Sequence, residues 1–226
     1  MMVRDGYGYG LGLAVVAAAL WAFTHLLALV ALPLLLAAFF LWFFRDPRRQ
    51  IPDAPDLIVS PADGKVTAIR KIATAEGEQY HVSIFLNVFN VHVNRAPVEG
   101  RIHSVDYKKG EYLNAMNPDS AERNEQNRVA IVGENGTVRF TQIAGLLARR
   151  IVFHKKVGDK VHRGERVGLI KFGSRVDVFF SGACALQISL GDHVQGGSSI
   201  LARMPSQGRV ETPASTAADS IRGSAQ

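Results

Sequence analysis

The segment "VGDKVHRGERVGLI" occupies residues 157–170, and a related segment, "LGDHVQGGSSILA", occupies residues 190–202. Both start with an apolar residue and Gly-Asp, place a valine two positions after the aspartate, and reach a further glycine before an apolar run. Gly-Asp favours a turn, the valine returns the chain to the core, and the second glycine permits another reversal. The repeat therefore predicts a small β domain whose short strands are joined by tight turns.

Short segments of alternating polarity extend this β pattern over most of the chain. They are residues 64–73, 80–88, 91–98, 100–107, 128–133, 136–145 and 166–173. Many short strands at this spacing predict a mostly β sandwich or barrel with few short helices. Together with the Gly-Asp repeat, the pattern resembles the barrel-sandwich hybrid of biotinyl and lipoyl domains. The segment "AGLLARRIV" (144–152) fits either a short helix or a buried strand.

Composition divides the 226 residues into three parts. Residues 1–50 are apolar with a basic flank and are predicted to anchor the protein in a membrane. Residues 51–204 are predicted to form the folded β domain, which is entered through a proline-rich, stiff segment. Residues 205–226 are rich in Ser, Ala, Pro, Gln and Gly and are expected to be a disordered tail.

The apolar run near the N-terminus covers roughly 35 residues and is interrupted only by Thr24, His25 and Pro33. One membrane-spanning helix needs about 20 apolar residues, so the run is long for one upright helix and short for two. We predict a helical hairpin that turns near Thr24–His25, with one long tilted span as the alternative. Aromatic residues at 39–44 resemble an interfacial belt, and arginines directly after them place this end on the cytoplasmic side of the cell membrane.

The formal net charge of +6 favours anionic partners. Given the apolar N-terminus, we interpret this partner as anionic lipid, with no role for nucleic acid, and expect "RDPRRQ" (45–50) to lie by lipid headgroups. The single cysteine, Cys184, excludes an internal disulfide bond. The histidines lack the spacing of a metal site, so no metal is expected.

Three polar residues stand where strand patterning does not account for them. Asp63 lies in a turn, His92 lies in a strand, and Ser174 follows a glycine in "KFGSRVD". Each has a plain structural explanation when it is taken alone. Taken together, they are the parts of an activated hydroxyl nucleophile, in which His92 accepts the serine proton and Asp63 orients the imidazole. The Gly-x-Ser-x-Gly pattern of α/β-hydrolases is absent.

Several stretches between about residue 40 and residue 202 resemble phosphatidylserine decarboxylases, in the shorter prokaryotic form. They are "WFFRDPRRQIP", "IVSPADGKV", "VFNVHVNRAPVEG", "ERNEQN", "QIAGLLARRIV", "VGDKVHRGERVGLIKFGSRVDVF" and "GDHVQGGSSILA". The combination is specific, although no single stretch is. Archaetidylserine decarboxylases share much of the pattern, so the sequence leaves the choice between these two lipid substrates open.

The resemblance implies a proenzyme that cleaves itself between Gly173 and Ser174. The long β chain would comprise residues 1–173 and the short α chain residues 174–226, and the two would form a heterodimer whose further dimerisation is left open. Ser174 would become a covalent pyruvoyl cofactor that forms a Schiff base with the substrate amine. The reaction would convert phosphatidylserine to phosphatidylethanolamine and CO₂.

The resemblance also implies catalytic roles for Asp63 and His92, which match the family's aspartate and histidine. Longer members carry a second histidine where this chain has Phe89. We expect His92 to donate the proton during decarboxylation, with His154 and solvent as the alternatives.

Two other classes of protein share part of the pattern. A membrane-anchored adaptor with a lipoyl-like domain would have the apolar N-terminus and the Gly-Asp turns, but it would also need a long heptad-patterned hairpin, which the sequence lacks. A serine hydrolase would use Ser174 as a free nucleophile.

Overall fold

A computed structural model describes residues 3–75, 77–114, 120–146, 150–171 and 173–205. The helices within these ranges are α1 (Arg4–Thr24), α2 (Leu27–Phe43) and α3 (Ser120–Arg123). The strands are β1 (Leu57–Val59), β2 (Gly64–Thr74), β3 (Gly77–Leu86), β4 (Val93–Arg95), β5 (Gly100–Lys108), β6 (Gln126–Gly133), β7 (Gly136–Ile143), β8 (Ile151–Phe153), β9 (Lys160–Val161), β10 (Arg166–Ile170), β11 (Ser174–Ser181), β12 (Ala185–Leu186), β13 (His193–Val194) and β14 (Ile200–Arg203). The mostly β prediction is confirmed. The tail predicted to be disordered lies outside the described residues, apart from Pro205.

Eight strands form the main sheet, in the order β13-β2-β3-β11-β7-β6-β5-β9, and neighbouring strands run antiparallel. Two three-stranded sheets, β1-β14-β12 and β4-β10-β8, pack against it. Alternate apolar residues of the strands meet in a single core, as β11 shows with its buried Val176, Val178 and Phe180. This alternation fixes the register, because a shift by one residue would turn the apolar side chains outward.

The Gly-Asp repeat is present as two matching turns. A carboxylate oxygen of Asp159 accepts a hydrogen bond from the Lys156 N–H, and Asp192 does the same with Ser189, both at 2.8 Å. The strands that follow, β9 and β13, pair with the first residues of β5 and β2 at opposite edges of the main sheet. The two copies of the sequence repeat therefore form the same turn and edge strand. The more specific expectation that the domain has a lipoyl-like fold remains a prediction.

The duplication also includes the residues that lead into β2 and β5. The segments "SPADGKV" (60–66) and "APVEGRI" (96–102) occupy corresponding positions. Reciprocal backbone hydrogen bonds of 2.9 Å join the two units, from Val59 N–H to the Pro97 carbonyl and from Arg95 N–H to the Pro61 carbonyl. Asp63 and Glu99 thus stand at equivalent places in two similar units.

The N-terminal helices α1 and α2 form the predicted hairpin. His25 adopts the left-handed conformation with φ of 50°, and its N–H donates to the Trp21 carbonyl, which ends α1 at the expected turn. The helices approach closely, since a Cβ on Gly10 would lie 2.6 Å from the Leu41 side chain. Residues 6–24 are long and apolar enough to cross a membrane, and α2 is a shorter apolar helix.

The segment after α2 is joined to the β domain by ion pairs. The Asp46 side chain is fully buried, accepts a 2.6 Å hydrogen bond from Arg95, and also contacts the Arg166 guanidinium. The Arg49 side chain is only 8% exposed and pairs with Asp63 at 2.7 Å. The expectation that the whole of "RDPRRQ" lies by lipid headgroups is therefore wrong for Asp46 and Arg49, while Arg48 remains exposed.

Candidate active site

Ser174 begins the central strand of the main sheet, β11, which lies between β3 and β7. The sequence pattern predicts that the preceding strand continues to Gly173, but in the structure β10 ends at Ile170. Gly173 lies between the two strands with φ of +46°, in the left-handed region that residues with a side chain seldom adopt. The predicted cleavage junction thus coincides with a break between two strands, and Phe172 lies outside the described residues.

The Ser174 side chain faces the core of the domain. The residue has no exposed surface and pairs across the sheet with the buried Leu86. Within the described residues, its hydroxyl oxygen has no hydrogen-bond partner. A buried hydroxyl left without a partner costs about 1–3 kcal/mol. A buried hydroxyl of this kind lowers stability, so its presence in a well-packed core points to a chemical function for Ser174.

His92 lies at the same end of the sheet as Ser174. It follows the loop that leaves β3 at Leu86, the cross-strand partner of Ser174, and its carbonyl accepts a 3.2 Å hydrogen bond from the N–H of Ile170 at the end of β10. The imidazole is 2% exposed, and the Phe43 ring of α2 lies 4.4 Å from it. The predicted base and the predicted nucleophile are therefore both buried, and both lie near the ends of β3 and β10.

The hydrogen bonds of His92 define its tautomer. Its Nδ1 lies 2.9 Å from the Asn90 carbonyl, which can only accept a hydrogen bond, so Nδ1 carries the proton. Nε2 then keeps a free lone pair, and it has no partner in the part of the chain that the structure describes. Burial lowers the pKa of His92 to about 4, against a smaller opposing effect from the Asn90 hydrogen bond. At neutral pH the imidazole is therefore a neutral proton acceptor.

Asp63 is held by groups other than His92. Its carboxylate accepts hydrogen bonds of 2.7 and 2.8 Å from one Arg49 nitrogen and another of 2.8 Å from the Gly196 N–H. Among the described residues, no hydrogen bond joins Asp63 to His92. Its structural equivalent Glu99 has a side chain that is 69% exposed, against 13% for Asp63. The two units have thus diverged at this position, and the role of Asp63 in orienting His92 remains a prediction.

A chain of buried amides that the sequence analysis missed lies beside these residues. Asn127 donates to the Gln142 side-chain oxygen at 2.9 Å, and Gln142 donates to the Asn94 side-chain oxygen at 2.8 Å. The Asn94 amide nitrogen has no partner among the described residues. These residues come from three of the stretches that carry the family resemblance, and their only sequence signal is an amide where the strand pattern favours an apolar side chain.

The remaining candidates are more exposed. His154 lies on the surface after β8, and Phe89 is 67% exposed in the turn between β3 and β4. Both residues thus differ from His92 and Ser174, which are buried.

Comparison with known proteins gives the family. A sequence profile described as phosphatidylserine decarboxylase matches residues 36–202, about three quarters of the chain. The chain belongs to the phosphatidylserine decarboxylase family. The matched region of this decarboxylase contains Asp63, His92, Gly173, Ser174 and the buried amides, and it begins within α2.

Relatives in several bacteria carry the name phosphatidylserine decarboxylase proenzyme. The protein from Solibacter usitatus is 50% identical over 204 residues, which cover 89% of this chain and 96% of that protein. The protein from Amoebophilus asiaticus is 47% identical over 177 residues, which cover 76% of this chain and 79% of that protein. The family that the motifs indicated is confirmed, and the chain is a decarboxylase.

Proposed function

We propose that this decarboxylase cleaves itself between Gly173 and Ser174 and uses the resulting pyruvoyl group to convert phosphatidylserine to phosphatidylethanolamine and CO₂. The observation that carries the proposal is the buried Ser174 hydroxyl, which has no hydrogen-bond partner among the described residues and directly follows a left-handed glycine. The buried, neutral His92 supports it. The names of the relatives support it, since a proenzyme is a precursor that becomes active on processing.

Cleavage begins when Ser174 Oγ attacks the Gly173 carbonyl carbon. His92 Nε2 accepts the hydroxyl proton, the peptide C–N bond breaks, and the Ser174 nitrogen takes up a proton, which leaves an ester between the two residues. Removal of the Ser174 Cα proton expels the Gly173 carboxylate and leaves dehydroalanine at position 174. Water then replaces the nitrogen, so that ammonia departs and a pyruvoyl group begins the short chain.

The geometry suits an internal attack better than an external one. Ser174 has no exposed surface, so an ester in solution cannot reach its hydroxyl in the uncleaved chain. The adjacent Gly173 carbonyl needs no access route. This burial argues against a serine hydrolase, because that function requires the serine to meet an external substrate. Access for a substrate would follow from release of the chain end at Gly173.

The surroundings of Ser174 also fit a pyruvoyl group. The pyruvoyl ketone supplies an electrophile for the substrate amine and an acceptor for the electron pair released as CO₂ leaves. The region offers an amide N–H of Asn94 and the Nε2 of His92, both without partners among the described residues. His92 Nε2 would take up a proton from the substrate's ammonium group and return it to the product carbon, and the apolar surroundings would exclude water.

We propose that the hairpin α1–α2 lies in the cell membrane, with the β domain on the cytoplasmic side. The helices expose large apolar side chains, of which Phe23 is 88%, Leu27 is 73% and Leu35 is 69% exposed. Arg48 extends from the end of α2 as a basic flank. An enzyme that sits on the bilayer avoids extracting a two-chain lipid, which would cost about 0.8 kcal/mol for each exposed CH₂.

The test combines intact mass with an activity assay. Purified protein should contain two associated chains separated after Gly173, and the short chain should carry a carbonyl and resist Edman degradation. Ser174→Ala should stay as one chain without decarboxylase activity. Phosphatidylserine and archaetidylserine vesicles, assayed side by side, identify the substrate. An intact wild-type chain with full decarboxylase activity would refute the pyruvoyl proposal, and an intact chain with esterase activity would favour the serine hydrolase.

A further inference from the structure

The turn between β3 and β4 presents an aromatic side chain to solvent. Phe89 is 67% exposed, although the turn itself is well fixed. The Asn87 side chain accepts a 2.8 Å hydrogen bond from the Phe89 N–H, and the Asn90 side chain accepts one of 2.9 Å from the Asn87 N–H. The exposure of Phe89 therefore results from a defined backbone conformation that projects this ring outward.

This turn is attached to the end of α2. Arg45 donates a 2.7 Å hydrogen bond to the Phe89 carbonyl, and its guanidinium stacks 4.1 Å from the Trp42 ring. The Phe89 and Trp42 rings meet edge to face at 6.1 Å. Arg45 thus holds an exposed ring of the β domain against an exposed ring of the membrane-proximal helix.

Trp42 and Phe89 form a surface that we call the Trp42–Phe89 patch. Trp42 is 41% exposed, and the patch continues into the exposed apolar surface of α2, including Leu35. The Arg45 guanidinium supplies the cation of this patch, and Arg48, which is exposed, follows three residues later in the chain. Aromatic rings beside cations match the headgroup–acyl boundary of an anionic bilayer, where rings enter the apolar layer and guanidinium groups meet phosphates.

We propose that the Trp42–Phe89 patch is an interfacial anchor, in which Phe89 enters the headgroup–acyl boundary of an anionic bilayer beside Trp42. The inference rests on the membrane attachment proposed above and adds a second contact, made by the β domain itself. His92 follows Phe89 by three residues and is bonded to the Asn90 carbonyl. Immersion of Phe89 therefore sets the depth of His92 at the level where the substrate amine and carboxylate lie.

A single tryptophan at position 89 tests the depth directly. The chain contains two tryptophans, so Trp21→Phe with Trp42→Phe gives a background in which Phe89→Trp is the only indole. The processed protein is reconstituted into vesicles of phosphatidylcholine and phosphatidylglycerol with brominated acyl chains. When the protein binds the vesicles, the emission of the indole at position 89 should shift to shorter wavelength. Its intensity should be lower in vesicles with brominated lipid than in vesicles without bromine.

Val132→Trp in the same background is the matched control. Val132 is 43% exposed and lies beside the β6–β7 turn, whereas Ile143 at the other end of β7 pairs with Arg175, next to Ser174. Val132 pairs with Thr137, which is six residues from Ile143 on β7. Val132 is therefore about 20 Å along the sheet from the end that holds Ser174. The emission of an indole at position 132 should be unchanged by brominated lipid.

Kinetics give a second readout. Phe89→Ser should raise the KM for vesicle-borne phosphatidylserine about tenfold, equivalent to about 1.4 kcal/mol, with little change in kcat, and Phe89→Leu should restore most of the loss. Val132→Ser should change neither constant. Vesicle-bound protein with an unquenched indole at position 89 would refute the anchor and leave membrane attachment intact. Protein that fails to float with vesicles would refute both.

Discussion

The pH dependence of self-cleavage should follow the unusual environment of His92. Burial lowers the pKa of this histidine to about 4, so about nine tenths of the imidazole is neutral at pH 5. With an ordinary pKa of about 6.5, only about 3% would be neutral at that pH. If neutral His92 is the base, cleavage at pH 5 should proceed at nearly the rate seen at pH 7.5. If the base were a histidine with an ordinary pKa, the cleavage rate at pH 5 would be about 30-fold lower than at pH 7.5.

A pulse-labelled chain made by cell-free synthesis provides the assay. The product is diluted into buffers between about pH 4 and pH 8, and denaturing gels give the fraction cleaved with time. His103→Gln is the matched control, because His103 is an exposed histidine on β5 and should not alter the profile. A fall in rate centred near pH 6.5 in the wild-type chain would refute the buried neutral base.

The same pKa shift predicts how stability depends on pH. Between about pH 6.5 and pH 4 the unfolded chain binds a proton at His92 that the folded chain does not, so unfolding becomes easier as the pH falls. This histidine costs the fold no stability above about pH 6.5. By about pH 4 the free energy of unfolding should be lower by about 3 kcal/mol. Urea titrations in detergent should show this loss in Ser174→Ala and a smaller one when His92→Gln is added. Equal losses in the two proteins would contradict the assignment.

Two further substitutions test the cleavage junction and the link to the hairpin. Gly173→Ala should slow cleavage about tenfold on gels, since a side chain at φ of +46° costs about 1–2 kcal/mol, and Gly173→Asn should be milder because asparagine tolerates this region. Equal rates for the three proteins would show that the left-handed geometry is not required. Asp46→Ala should lower the unfolding free energy by about 3–5 kcal/mol, because it removes the buried carboxylate that pairs with the largely buried Arg95 guanidinium and also contacts Arg166. Asp56→Ala removes a more exposed pair with Arg203 and should cost about 1 kcal/mol or less, so similar losses for both variants would contradict the burial argument.

Seven of the strands were predictable because their apolar residues alternate and turn residues bound them. Each of the seven predicted segments overlaps an observed strand. The pattern failed at β11, where "KFG" continues the polarity of β10 and hides the break before Ser174. The arrangement of three sheets was not predictable from local pattern, because it depends on pairings between distant segments such as β1 with β14. The local sequence thus indicates where a strand forms, but which strand it pairs with depends on the rest of the chain.

The candidate site was predictable only in part, for a related reason. Ser174, His92 and Asp63 stand out because serine, histidine and aspartate have known roles together. Gln142 gives no such signal, since a single amide in a strand is also common on surfaces, and its bond to Asn94 spans 48 residues. The position of Arg49 after the apolar run predicts a contact with lipid headgroups, but its observed partner, Asp63, lies in another segment.

The contacts of the hairpin give it a role in the chemistry beyond attachment. The Phe43 ring of α2 is 1% exposed and lies 4.4 Å from the His92 ring, so the hairpin supplies part of the burial that lowers the His92 pKa. Phe43→Ala should admit water, raise this pKa towards about 6.5, and move the acid limb of the cleavage profile to higher pH. Leu35→Ala, on the exposed side of the same helix, should leave the limb near pH 4. If Phe43→Ala and the wild-type chain share one profile, the β domain alone keeps His92 neutral and the hairpin serves only to hold the enzyme on the bilayer.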